Sequence, residues 1–424
     1  MTTIQTTTER FAGPLKWLLG AYVLFLAIQV DVGGENNVRL APGDIALGLY
    51  LLMVATGFVR LRIIPAAWSA WHLAFAAVLI LGNLIAVLSI GKLSTYALVN
   101  KDIGMITLFL SYMFFTAVAV DMERVRWILR LVVYGIVASN LLALAAFAAN
   151  RLTGITIAAL HSDSARLSGM APDSNQYSSF LGMALIIVLV TSLGARPLVS
   201  RSYAVLAVMS LAMGIVLAYS RSGAIGVLLG LLVIAPFRPK VMGAVVAAAI
   251  AGVAAIVLVL GVNYLQTASA LAQRPDQIQV RVHIIDTALP MFAESPIFGI
   301  GLGVFAERYV QNIIHNTPVW ILTEFGLVGL AVFGGLFLTF VVRAWRVYRV
   351  GGPETQSVIL ALVAVHFQML GVSMGVEAFY QRHWWLVMAL IGSVYAFTMN
   401  PTEQGEPAVQ PAEERLPANW EALG

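Results

Sequence analysis

Along this chain a long apolar run is broken by a few polar positions and then followed by another, almost from end to end. A helical run of about 20 apolar residues rises about 30 Å, the thickness of a hydrocarbon core. Within each run the apolar positions are continuous and do not alternate, which predicts helices and argues against barrel strands. Twelve spans are expected, near Leu15–Val30, Ile45–Val59, Ala66–Ile90, Ile103–Val120, Trp127–Phe147, Ser178–Leu193, Tyr203–Tyr219, Ala224–Phe237, Val241–Val262, Val319–Val342, Ser357–Val376 and Trp384–Met399. The seventh and eighth are short and separated only by Ser220-Arg221-Ser222-Gly223, which fits either one broken element or two tilted helices. The expected fold is therefore an all-α polytopic membrane protein with about 12 transmembrane helices, forming a single integral domain over residues 1–400.

Two stretches depart from this rhythm. Residues 401–424 are acidic, contain proline and show no apolar period, the pattern of a disordered tail. Residues 263–318, between the ninth and tenth spans, form a connection far longer than usual. It does not read as a linker: Val280 to Phe292 has helical spacing, and SPIFGIGLGVF is compact and Gly-rich. A structured loop of that size commonly carries function.

Basic residues cluster beside alternate span ends: Arg60/Arg62, Arg124/Arg126, Arg196/Arg201, Arg238/Lys240 and Arg343/Arg346/Arg349. By the positive-inside rule these loops face the cytoplasm, as do both termini, and the 263–318 loop is extracytoplasmic. The N-terminal Met1–Arg10 is polar, and no small-residue cleavage site follows the first apolar run. That run is expected to be a retained span in a bacterial inner membrane.

Composition agrees with the pattern: 60% of the 424 residues are hydrophobic and 11% charged, with a mean hydropathy of +0.87. Soluble domains carry about 25% charge. The net charge of +4 is spread over short loops with no basic tract, so nucleic acid is not an expected partner. With no cysteine, disulfides and thiolate chemistry are excluded. No histidine or carboxylate set has metal-ligand spacing, so neither a metal nor another cofactor is expected.

The chemistry-bearing residues gather on the outward face. Arg221 lies between two apolar spans, and no Asp or Glu occurs from 201 to 241. A guanidinium there is costly unless it snorkels to the interface or meets an anion, and its fork suits phosphate. Arg281 lies on the expected helix of the long loop, where pairing with Asp276 or Asp286 is the plainer alternative. Arg166 precedes the sixth span, whose N-terminus the PDSN segment suits as a helix cap. His315, followed by Asn316, stands where the loop enters the tenth span; imidazole suits general-base work, although loop histidines are often simply solvated. Glu324 falls inside that span and needs a partner there. His72 and His366 read as packed polar residues within spans.

Taken together, SRSG, then R…AL…SPIFGIGLGVF, then HN…W…EFGLVGL resemble the shared C-terminal region of the bacterial O-antigen ligase and O-antigen polymerase family, over about Ser220 to Leu330. The resemblance implies a C-type membrane glycosyltransferase with a periplasmic active site, metal-independent and inverting. Its donor would be an undecaprenyl-diphosphate-linked glycan and its acceptor the lipid A core, or a second lipid-linked glycan if it is an O-antigen or exopolysaccharide polymerase. By the same resemblance Arg221 and Arg281 hold the diphosphate and His315 activates the acceptor, with Arg166, Asn316 and Glu324 in support. Around Arg166 the chain reads PDSN where the family has D-P-N. A polytopic transporter or lipid flippase, in contact with membrane lipids in the same way, is the alternative from another class. It would place ionisable residues and broken helices at mid-span.

Overall fold

The computed structural model describes residues 16–31, 39–59, 63–155, 157, 166–240, 275–309 and 313–400, with a few positions between 242 and 258. These residues are helical and loop apart from one two-residue antiparallel pair, Val30–Asp31 with Arg39–Leu40. In chain order the helices are α1 (16–24), α2 (Pro42–Ala55), α3 (Ala70–Ile90) and α4 (Ala97–Val118, opening with a π turn over Ala97–Asp102). Next come α5 (Met122–Thr153), α6 (Ser174–Ser192), α7 (Arg201–Leu217) and α8 (Arg221–Ile234). They are followed by α9 (Pro275–Glu294), α10 (Val304–Arg308), α11 (Thr317–Val350), α12 (Pro353–Ser373) and α13 (Arg382–Met399). Six of them, α3, α4, α5, α6, α11 and α12, are long and apolar enough to cross a membrane, while α2, α7 and α8 are apolar but shorter. The chain is thus a multi-pass helical membrane protein. The expected ninth span over 241–262 falls mostly outside the described residues, and Arg60, Arg62 and the 401–424 tail fall wholly outside them.

Helix α6 is the axis of the bundle, apolar on every face and buried along its length. It packs against α5, α7, α8 and α12. Small residues let α8 approach α12 closely: a methyl on Gly226 would lie 2.7 Å from the Gln368 carbonyl, and one on Gly371 would lie 2.7 Å from the Gly226 Cα. The break expected at Ser220 separates two helices, because Ser220 turns back to cap α8, accepting from Gly223 N at 3.1 Å. Just before it, Tyr219 has a φ of 46°, a left-handed conformation uncommon for a non-glycine residue.

Capping, more than hydropathy, sets the ends of α5. Asp121 accepts from Arg124 N at 2.8 Å and Gly154 closes the helix in the left-handed region. The helix therefore runs through Arg124 and Arg126, which the apolar pattern alone leaves in a loop. Arg126 donates to the carbonyls of Arg196 and Pro197, both at 2.9 Å, and pairs with Glu354 at 3.1 Å. Arg238 reaches Ser357 Oγ at 3.2 Å. The N-termini of α5, α7 and α12 therefore share one end of the bundle with the C-termini of α6 and α8. The N-termini of α6, α8, α11 and α13 lie at the other.

The glycine run of the long connection does not stay at that other end. Helix α11 breaks at Gly326 (φ 66°, ψ −162°), and segment 296–302 takes up the backbone groups the break exposes. Leu327 N donates to the Pro296 carbonyl at 2.9 Å and Val328 N to that of Ile297 at 3.1 Å. In return Ile300 N reaches the Thr323 carbonyl at 3.0 Å and Gly301 N that of Glu324 at 3.1 Å. Leu302 N then bonds the Gly82 carbonyl, midway along α3, at 2.9 Å. Non-helical backbone at such a depth is tolerated only when buried in protein and paired, as it is here.

Gly326 occupies a region of backbone space that is essentially closed to other residues, and a Cβ there would lie 2.4 Å from the Ile297 carbonyl oxygen. Gly326→Val is therefore expected to cost at least about 1–3 kcal/mol from backbone strain alone. Thermal unfolding of the purified variant in detergent checks this, and an unchanged midpoint would contradict the packing described.

Candidate functional site

Residues of α2, α4, α6, α9 and α13, with the turns that precede α11 and α13, line a cavity of about 960 Å³. Its wall is apolar along α2 and α4 (Leu47, Leu51, Ile103, Leu108) and polar towards the chain end of α6 and the long connection. Arg166, Asp173, Arg281, His315 and Glu377 line that polar part. Three of the residues expected from the sequence, Arg166, Arg281 and His315, thus meet around one space although 149 positions separate the first from the last.

Each is held by local structure. Asp173 caps α6, accepting from the amides of Asn175 and Gln176 at 2.8 and 2.9 Å, as the PDSN segment predicts. Asn175 Oδ1 then accepts from Arg166 Nη2 at 3.1 Å and from Ser220 Oγ at 2.9 Å. Arg166 Nε donates to the Ala218 carbonyl at 2.9 Å. Arg166 therefore braces the α7–α8 turn and carries Arg221 into place at the first position of α8. The N-terminus of a helix favours anions, because its first amides lack partners.

Arg221 does not line the cavity itself, but its charge acts on Arg281. Burial, then the Arg221 guanidinium, lowers the Arg281 pKa, while Asp173 opposes them. Neither arginine makes a hydrogen bond or ion pair with any described residue. The pairing of Arg281 with Asp286 is thus not formed, and the Asp276 side chain lies outside the described residues. Two neighbouring guanidinium groups repel, and an anion between them relieves that repulsion.

His315 ends the long connection at the rim of the cavity. Asn316 caps α11, accepting from Val319 N at 3.0 Å, and donates through Nδ2 to the Met374 carbonyl at 2.9 Å. The imidazole is reached by solvent through the cavity, yet the protein around it lowers its pKa. Desolvation is the largest cause, followed by Arg281. At neutral pH it is therefore an uncharged base.

Glu324 stands apart from the cavity. Its carboxylate is buried and accepts from Trp320 Nε1 at 2.7 Å, one turn along α11. His72 is held by Ser69 Oγ at 3.0 Å, and His366 by Trp384 Nε1 at 2.9 Å, so both are packed polar residues. Pattern reading missed Lys101, Glu377 and the Arg382–Asp44 pair (2.7 Å), all of which border or brace the cavity. A signal existed for Glu377, the only carboxylate between 355 and 402.

The profile of the O-antigen ligase family matches residues 204–334, a stretch containing α8, α9, His315 and the α11 break. The match supports the O-antigen ligase and polymerase family, and with it a ligase- or polymerase-type activity of a membrane glycosyltransferase-like enzyme. No curated protein matches the chain.

Proposed function

We propose that the chain is an O-antigen ligase-type transferase. It moves a glycan from undecaprenyl diphosphate to a sugar hydroxyl of the lipid A core, on the periplasmic side of the inner membrane. The observation that carries this is the grouping of two arginines that pair with no described residue and a histidine whose surroundings favour its neutral form, beside one large cavity. That cavity lies at the end of the bundle away from Arg126, Arg196 and Arg238, the end expected to face outward.

The donor's anomeric carbon is bonded to a diphosphate oxygen, and the acceptor oxygen attacks from the opposite side. His315 takes the hydroxyl proton, the new glycosidic bond forms, and the bond to diphosphate breaks with its electron pair on the leaving oxygen. Arg221 and Arg281 neutralise the charge that develops there. Asn316 and Arg166 position these groups through the helix ends they hold.

A flippase would use the broken α11 and the carboxylate of Glu324 as part of a pathway. Here segment 296–302 fills the break and Trp320 occupies the carboxylate, which favours a structural role for both. Deleting the gene and comparing lipopolysaccharides tests the proposal. Loss of all long chains with accumulation of the polymerised lipid-linked donor is expected. Single-repeat caps would instead identify an O-antigen polymerase, and unchanged lipopolysaccharide with lost exopolysaccharide an exopolysaccharide polymerase.

A further inference from the structure

Among the charged groups beside the cavity, Lys101 is the one most enclosed by protein. Only 3% of its surface is exposed. It projects from the π turn that opens α4, an irregularity often found at functional positions. Its ammonium lies over the rings of Tyr380 (4.7 Å), Trp320 (4.8 Å) and Tyr96 (5.5 Å), and it pairs with Glu377. A buried ion pair is seldom a better packing solution than apolar side chains of the same volume. This one borders the cavity, where Glu377 shares the wall with His315.

Glu377 is also clamped to the segment that carries His315. Thr317 Oγ1 donates to the Val376 carbonyl at 3.2 Å and accepts from Ala378 N at 3.0 Å, so it grips the chain on both sides of Glu377. The Asn316 bond to the Met374 carbonyl adds a third tie. The two residues that follow His315 thus fix the turn that presents Glu377.

We infer that the Lys101–Glu377 pair is a positioning device for His315: Lys101 fixes the Glu377 carboxylate, and the carboxylate favours the imidazolium formed when His315 accepts the acceptor's proton. This rests on the transfer reading above. The charged groups acting on His315 are Arg281 from α9, Glu377 from the α12–α13 turn, Asp173 from the cap of α6 and Lys101 from α4. Arg281 and Lys101 disfavour the imidazolium, whereas Glu377 and Asp173 favour it. Arg166 lines the same space. A carboxylate that stabilises an imidazolium without itself taking the proton is the third member of many base-catalysed sites.

The test is glycan transfer by the purified full chain, from an undecaprenyl-diphosphate-linked glycan to lipid A core, followed across pH. Glu377→Gln is expected to lower kcat by about tenfold to a hundredfold with the donor KM little changed. The acidic limb of the kcat profile should move to lower pH, because an influence favouring the imidazolium is lost. Since that variant strands a buried ammonium, Lys101→Met/Glu377→Gln is measured beside it. The double variant should accumulate as folded protein and keep a lowered kcat, with its limb still below that of the wild type but less displaced than in Glu377→Gln, because the ammonium that disfavours the imidazolium is removed as well. Wild-type kcat and an unmoved limb in the double variant would overturn the inference and leave the pair a packing feature. His315→Ala in the same assay separates the two levels. Full turnover there removes the transfer reading, whereas an inactive His315→Ala beside an unaltered Glu377→Gln removes this inference alone.

Discussion

His315→Ala is expected to lose glycan transfer by about 10²–10⁴-fold while still binding the lipid-diphosphate donor, as removal of a general base requires. The side chain makes no hydrogen bond to a described residue. Its removal therefore strands no partner, and the fold should be unaffected. Wild-type activity should fall on the acidic side as His315 becomes protonated. Because burial and Arg281 lower its pKa, that fall lies below the ordinary histidine value of about 6.5. Turnover numbers for His315→Ala and the wild type, with donor affinity measured separately, check the assignment. Undiminished turnover would leave the acceptor to be activated by some other group.

The apolar rhythm made most of the fold legible. It located the core of each long helix, and helical spacing from Val280 to Phe292 found α9, which runs from Pro275 to Glu294. Helix ends were less visible, since caps such as Asp121 and Gly154 determine them and hydropathy does not. The break in α11 was hidden for a different reason. EFGLVGL reads as an ordinary apolar helix, and only contact with segment 296–302 shows that Gly326 leaves the helical region.

At the candidate site, sequence reading found residues whose charge was costly for their surroundings. Arg221 stood out for having no acidic neighbour in the sequence, and it forms no ion pair with a described residue. It missed groups whose cost is met by distant partners. Lys101 and Glu377 lie 276 positions apart, and each alone resembles a charge at the end of a span. Arg382 and Asp44 are 338 apart and are hidden in the same way. Long-range ion pairing leaves no local period for a pattern to register.

Arg221→Ala tests the other half of the mechanism. A hydrogen bond to a charged group contributes about 1.5–3 kcal/mol, so donor affinity should fall by about one to two orders of magnitude. Arg221→Lys keeps the charge but not the fork, and should recover only part of the loss. Contrast with Arg126→Ala makes the result interpretable. Arg126 is buried, holds two carbonyls and pairs with Glu354, so its loss should destabilise the fold without altering donor affinity. Arg221 holds no described residue, and its loss should do the reverse. Donor affinity measured by competition with a labelled lipid diphosphate, alongside a thermal unfolding midpoint, distinguishes the two behaviours. An unaltered affinity in Arg221→Ala would return the residue to the plainer role of an interfacial anchor, with Arg281 left to hold the diphosphate alone.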